Sequence, residues 1–185
     1  LKFAMSANYI DFARISDLNE GAVNYVVSAA ADVQPDKSVL DQLKCKLEIA
    51  EKLCFLHDNC GEIVLDKILI RVIKELYPAI RVISVVRGKP IINDVTQDDA
   101  REVGLQEYAE VIGNGTNVPG TYLKEVSPRV LRELKECGVV LSKGLGNLET
   151  LYGEGYNIFY AFNCKCAHIA RRFGAPLWSA VLVRD

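Results

Sequence analysis

The sequence predicts an α/β fold, a mostly parallel, doubly wound sheet with helices on both faces, and three observations carry that prediction. Short β-branched, aromatic and otherwise apolar runs recur along the chain, nearly continuous in apolar character, as strands covered on both faces should be. Segments of helical periodicity alternate with them, which favours parallel strands joined by crossovers. Polar residues collect just after the apolar runs, where a sheet of this kind binds its ligands.

In chain order, the turn "QPDKS" and a cap at Ser38 introduce a helix over 38–52, followed by a first strand at "LCFLH" (53–57). A helix over 61–76 leads to "IRVISVV" (80–86), and "YAEVIG" (108–113) supplies a third strand. A helix over 121–136 leads to "GVVLS" (138–142); "NIFYAF" (157–162), a helix over 164–173 and "LWSAVLV" (177–183) complete the series. The stretch from 13 to 37 is the least periodic, although "AVNYVVSAAA" reads as another helix. Without repeats, low-complexity tracts or long linkers, residues 1–185 read as one domain. The opening "LKFAMSANYIDF" is apolar from the start and lacks an initiator Met. It reads as an element begun upstream, whose missing N-terminal region would leave apolar surface uncovered.

Half of the 185 residues are hydrophobic and a quarter are charged, which suits a globular core and argues against disorder. Twenty-two basic against 24 acidic side chains give no basic footprint for nucleic acid. No apolar run approaches a membrane span and no signal-peptide pattern opens the chain, so a cytoplasmic protein with neither nucleic-acid nor membrane partners is expected. Six cysteines fit reduced thiols better than disulfides at this length, and Cys45, Cys54 and Cys137 sit in apolar settings. In "CKCAH", Cys164, Cys166 and His168 lack the usual zinc-ligand spacing and read as buried thiols.

The polar residues after the strands carry the functional reading. "DNCGE" follows the first strand; Asn59 and Glu62 fit a capping box, which leaves the Asp58 carboxylate without a structural reason at a strand end. "PIINDVTQDDA" repeats the pattern, with Asp94 ahead of a cap at Thr96 and Asp99 in the first helical turn. Oxygen ligands from separate loops suit a hard cation such as Mg²⁺ or Mn²⁺. In "SKGLGNLET", Lys143 precedes the glycines, so the loop is not a Walker A motif; Gly144 and Gly146 let backbone amides approach an anion and Lys143 supplies a point charge. A solvated Lys before a turn is the structural alternative. "GNGTNVPGT" is rich in turn signals, with Asn114 as a candidate substrate contact. On a strand, His57 points away from Asp58, toward core or helix.

Taken together, "DNCGEIVLDKILI", "VVRGKPIINDVTQDDA", "VIGNGTNVPGT" and "LSKGLGNLETL" resemble the metal-dependent damage-control phosphatases, the domain of unknown function 89, particularly their stand-alone prokaryotic branch. The resemblance runs from about Ala7 to the C-terminus. It implies an α/β/α sandwich and hydrolysis of phosphate monoesters of small metabolites, either sugar phosphates or phosphorylated cofactor intermediates. A divalent metal (Mn²⁺, Mg²⁺, Co²⁺ or Ni²⁺) at the strand ends would be held by Asp58, Asn59 and Asp94. Asp58, Asp94 and Lys143 would be catalytic, with Lys143 on the substrate phosphate; Asn114, Gly144, Asn147 and Glu62 complete the expected substrate-binding set. A helix beginning near Gly61 would turn its positive end toward the phosphate. Direct water attack and an Asp nucleophile both fit. The family usually carries a further N-terminal helical region that this chain lacks, and Leu145 and His57 depart from its pattern. Carboxyl methylation, attributed to some relatives, would need an S-adenosylmethionine site, for which no clear glycine-rich first turn is present. A non-catalytic metal-binding domain is the third reading.

Overall fold

The computed structural model describes residues 1–7, 24 and 28–185. Its centre is a six-stranded sheet in the order β3-β2-β1-β4-β5-β6. The strands are β1 (Lys52–Leu56), β2 (Arg81–Val86), β3 (Glu110–Gly113), β4 (Val139–Lys143), β5 (Ile158–Asn163) and β6 (Ala180–Arg184). All neighbouring pairs are parallel except β5 with β6, which is antiparallel. Alternate residues of β1 feed two separate cores, as the two-residue period of a strand requires. Leu53 and Phe55 join one cluster; Cys54 and Leu56 join the other.

Two layers of helices cover these faces. On the Leu53 side lie residues of α1 (Lys2–Ser6), α2 (Lys37–Ile49), α3 (Ile63–Leu76) and α4 (Gln97–Glu102). On the Cys54 side lie α5 (Pro128–Glu136), α6 (Leu145–Leu151) and α7 (Ala167–Phe173). The result is the expected α/β/α sandwich. Asp36, not Ser38, caps α2, its side chain accepting from Val39 N at 2.9 Å. At α4 the expected Thr96 cap forms, and Asp99 in the first turn completes a capping box with it. α5 starts at Pro128 behind the Ser127 cap, later than the pattern predicts, because 121–127 forms turns instead. Of the helix read from "AVNYVVSAAA", residues 24 and 28–31 are helical and the others lie outside the described residues, as do 13–23 and 25–27 of the stretch from 13 to 37. Within α3 the buried positions are Ile63, Asp66, Leu69, Ile70 and Ile73, so one carboxylate interrupts an apolar stripe. Val64, Ile68, Val72 and Leu76 of the same helix are exposed.

The chain winds outward from β1 to β2 and β3, then returns across β1 to β4 and β5, which places the reversal of direction between β1 and β4. In doubly wound sheets the crevice beyond the strand ends at that point is the natural ligand site. To one side of it, the loops after β2 and β3 meet at a glycine contact. A Cβ on Gly88, after β2, would lie 2.4 Å from the backbone nitrogen of Gly115, after β3. Asn114 reinforces the contact, its Oδ1 accepting from the backbone N–H of Gly88 at 2.8 Å and of Thr116 at 3.0 Å.

Gly88→Ala should therefore force two backbones apart, destabilising the fold by about 1–3 kcal/mol as overpacking does. Thermal or urea unfolding monitored by circular dichroism checks this; an unchanged midpoint would refute the close-approach argument.

Candidate active site

Asp58 lies two residues beyond Leu56, which pairs with Ser142, so it is level with Gly144 across the β1–β4 gap. The two meet closely. A Cβ on Gly144, whose φ is +80°, would stand 1.9 Å from Asp58 Oδ2. Glycine thus gives the carboxylate its space and satisfies a left-handed backbone at once. The loop after β2 is brought alongside by a short antiparallel bridge between Asn59 and Asp94. Cys60 N donates to Asn93 O and Val95 N to Asp58 O, each at 2.8 Å.

Asp58, Asn59 and Asp94 consequently line one cleft of about 240 Å³, together with Lys165 and the apolar Ile92, Pro119 and Leu145. A larger hollow of about 940 Å³ runs along β6 and shares no lining residue with the cleft, so size alone does not locate the chemistry. Among the described residues no cluster of three or more His, Cys, Asp or Glu side chains is arranged to hold a metal. The set at the cleft is two carboxylates and an amide, an all-oxygen group of the kind hard divalent cations prefer. Charge points the same way. Asp58, Glu62, Asp66 and Asp94 share the two buried cations Arg87 and Lys143, leaving carboxylates in excess. Burial, followed by the charges of Glu62 and Asp94, pushes the Asp58 carboxyl up to about 7.

The other expected site residues have different places. Lys143, expected on the substrate phosphate, has a fully buried ammonium and is not among the residues lining the cleft. It donates to Glu62 Oε2 at 2.7 Å and to Asp66 Oδ1 at 2.8 Å. Burial alone would lower its pKa, but Asp66 and Glu62 hold it above the ordinary lysine value. Burial would likewise raise Asp66, yet Lys143 and His57 bring that carboxyl below its usual range. Glu62 does not form half of a capping box, which corrects that reading. It is buried and is itself the N-cap of α3, which begins at Ile63, with no side-chain cap bond. Instead, Asn59 Nδ2 donates to Glu62 Oε1 at 2.9 Å and to Asp58 Oδ2 at 3.1 Å.

Asn114 and Asn147 are structural braces. Besides its contacts to Gly88 and Thr116, Asn114 is fully buried and absent from the cleft lining. Asn147 Nδ2 donates to the carbonyls of His57 at 3.0 Å and Lys143 at 2.8 Å, while its Oδ1 accepts from Thr121 Oγ1 at 2.8 Å. His57 faces α3 as expected, its Nδ1 3.2 Å from Asp66 Oδ2. All six cysteines are free; Cys54 and Cys164 are buried, whereas Cys45 and Cys166 are exposed, correcting the buried reading of those two.

Three residues of the site escaped the sequence reading. Arg87, fully buried at the end of β2, donates through Nε to Asp94 Oδ2 at 2.6 Å and thereby orients that carboxylate. A charge ending an apolar run is the same signal that singled out Asp58. Asp66 could have been found as a carboxylate on the apolar stripe of α3. Lys165 sits in the segment read only for its thiols.

A model of the damage-control phosphatase ARMT1-like domain matches residues 1–181. A protein of Methanocaldococcus jannaschii described as uncharacterized is 32% identical over 97% of this chain and 60% of its own length. A damage-control phosphatase of Pyrococcus horikoshii is 33% identical over 100% of this chain and 64% of its own. The crystal structure of a DUF89 family protein from Pyrococcus horikoshii superimposes with a TM-score of 0.89 at 32% identity, covering 100% of this chain and 64% of that one. The chain thus spans 60–64% of the length of these relatives. From the run of the match along the chain and the shared fold, the chain belongs to the damage-control phosphatase ARMT1-like domain family.

Proposed function

We propose that this chain hydrolyses phosphate monoesters of small metabolites, sugar phosphates or phosphorylated cofactor intermediates, using a divalent cation held by Asp58, Asn59 and Asp94. The observation that carries the reading is the convergence of these three oxygen donors in one cleft that Lys165 also lines. The damage-control phosphatase descriptions of the relatives support the reaction class. Free cysteines suit a reducing, cytoplasmic compartment, and no helix among the described residues is long and apolar enough to cross a membrane.

The cation, as Mn²⁺, Mg²⁺, Co²⁺ or Ni²⁺, would supply positive charge to the phosphoryl oxygens. The protein's own groups do the rest. Arg87 keeps Asp94 in one orientation through its 2.6 Å contact, and its Nη1, buried without a hydrogen-bond partner, adds positive potential behind the cleft. Lys165 offers the ammonium that lines the cleft and attracts the phosphate dianion. Ile92, Pro119 and Leu145 give the cleft apolar surface beside these charges.

Phosphate release from a panel of phosphorylated metabolites, with and without Mn²⁺, tests the proposal. Activity should require the metal, and Asp58→Ala or Asp94→Ala should lower turnover about a hundredfold or more. Release without metal, or by both variants at the wild-type rate, would reject it. Lys165→Ala should raise KM for the best substrate about tenfold or more, the loss expected when a charged hydrogen bond disappears, with a smaller change in kcat. An unchanged KM would remove Lys165 from the substrate site.

A further inference from the structure

We infer that Lys143 and Glu62 are positioning residues that set the orientation of the Asn59 amide, and so present its oxygen toward a divalent cation in the cleft. This rests on the metal reading above and assigns to Lys143 a role different from phosphate contact.

An asparagine side chain has nearly the same shape with its amide turned over, but the turn exchanges an acceptor for two donors. Hydrogen bonding alone therefore decides which end faces a ligand. Here Asn59 Nδ2 donates to Glu62 Oε1 at 2.9 Å and Asp58 Oδ2 at 3.1 Å. Both partners present acceptor oxygens, so the inverted amide would set oxygen against oxygen in two places. The nitrogen is held toward the carboxylates and the oxygen is turned away from them.

Glu62 can perform this task only if its carboxylate stays put. Its second oxygen, Oε2, receives Lys143 Nζ at 2.7 Å; Lys143 is held in turn by Asp66 Oδ1 at 2.8 Å, and Asp66 Oδ2 lies 3.2 Å from His57 Nδ1. Lys143, Glu62 and Asp66 are 0% exposed and His57 is 1% exposed, so none of these side chains can swing into solvent. The contacts form one line from the core of the sandwich to the expected metal ligand. Removing Lys143 would take away the cation that holds Glu62 Oε2 and so weaken its grip on Asn59.

Partners that orient a metal ligand typically change metal affinity about 10–100-fold when removed. The test is isothermal titration of the full chain with Mn²⁺, with folding of each variant checked by thermal melting. Glu62→Ala removes the arm to Asn59 while leaving Lys143 paired with Asp66, and should weaken Mn²⁺ binding by about that factor. Lys143→Met should do the same. The double variant Lys143→Met with Glu62→Gln should recover most of the lost affinity, because a neutral amide needs no counter-ion and still offers Asn59 an acceptor oxygen. Wild-type affinity in Glu62→Ala, or a double variant no tighter than Lys143→Met, overturns the inference while leaving the metal site standing. If Lys143→Met does not fold, Glu62→Ala and the double variant decide the matter, and a double variant as weak as Glu62→Ala overturns it. Absence of Mn²⁺ binding by the wild type overturns the metal reading and this inference together.

Discussion

The ammonium of Lys143, fully buried between Glu62 and Asp66, is the constraint from which the site is organised. It links the end of β4 to residues 81 and 77 positions earlier, across the switch point of the sheet. Desolvating three charges costs several kcal/mol per ion before their attraction is counted, and apolar replacements of such groups are often as stable or more so. Its consequence is therefore geometric. The start of α3 is held at one distance from β4, and the Asp58–Asn59 segment, which joins β1 to that helix, has little freedom between them.

The loops add a second constraint of a different kind. Gly144 leaves room for Asp58, Gly88 for Gly115, and Gly120 for Gly146, whose carbonyl would lie 2.2 Å from a Cβ on Gly120. Side-chain amides fill the remaining gaps, with Asn147 tying the carbonyls of His57 and Lys143 to Thr121. Gly144 and Gly146, read from sequence as approach points for an anion, also let Asp58 and Gly120 come close.

The parallel sheet was legible because strands buried on both faces advertise themselves as unbroken apolar runs, and "LCFLH", "IRVISVV" and "GVVLS" lie within a residue or two of β1, β2 and β4. The antiparallel direction of β6 left no such mark, since an apolar run reads alike in either direction. α6 is seven residues long and begins inside the glycine loop, too short for its period to show. At the site, Asp58 and Asn59 were recognisable because they follow an apolar run at a strand end, and Asp94 because it closes the short apolar run of the loop after β2. Lys143 interrupts one in the same way, yet its partners lie on a distant helix, and no local pattern separates a lysine that reaches solvent from one folded inward. The capping reading of Asn59 and Glu62 failed for a related reason: their spacing was right, but the pull of Lys143 on Glu62 turned the pair into a side-chain contact.

The charge balance of the cleft also bears on how the proposed cation and an anionic substrate would enter it. Asp58 and Asp94 face the space that a phosphate would enter, and Arg87 already shares its charge with Asp94. Without a cation, a phosphate dianion would meet an Asp94 charge partly offset by Arg87 and an Asp58 carboxyl that burial and its neighbours push up to about 7, so the cleft by itself offers it little attraction beyond Lys165. On the proposed reading, a cation held by Asp58, Asn59 and Asp94 would therefore precede the anion, and the same carboxylates would then anchor positive charge facing the substrate.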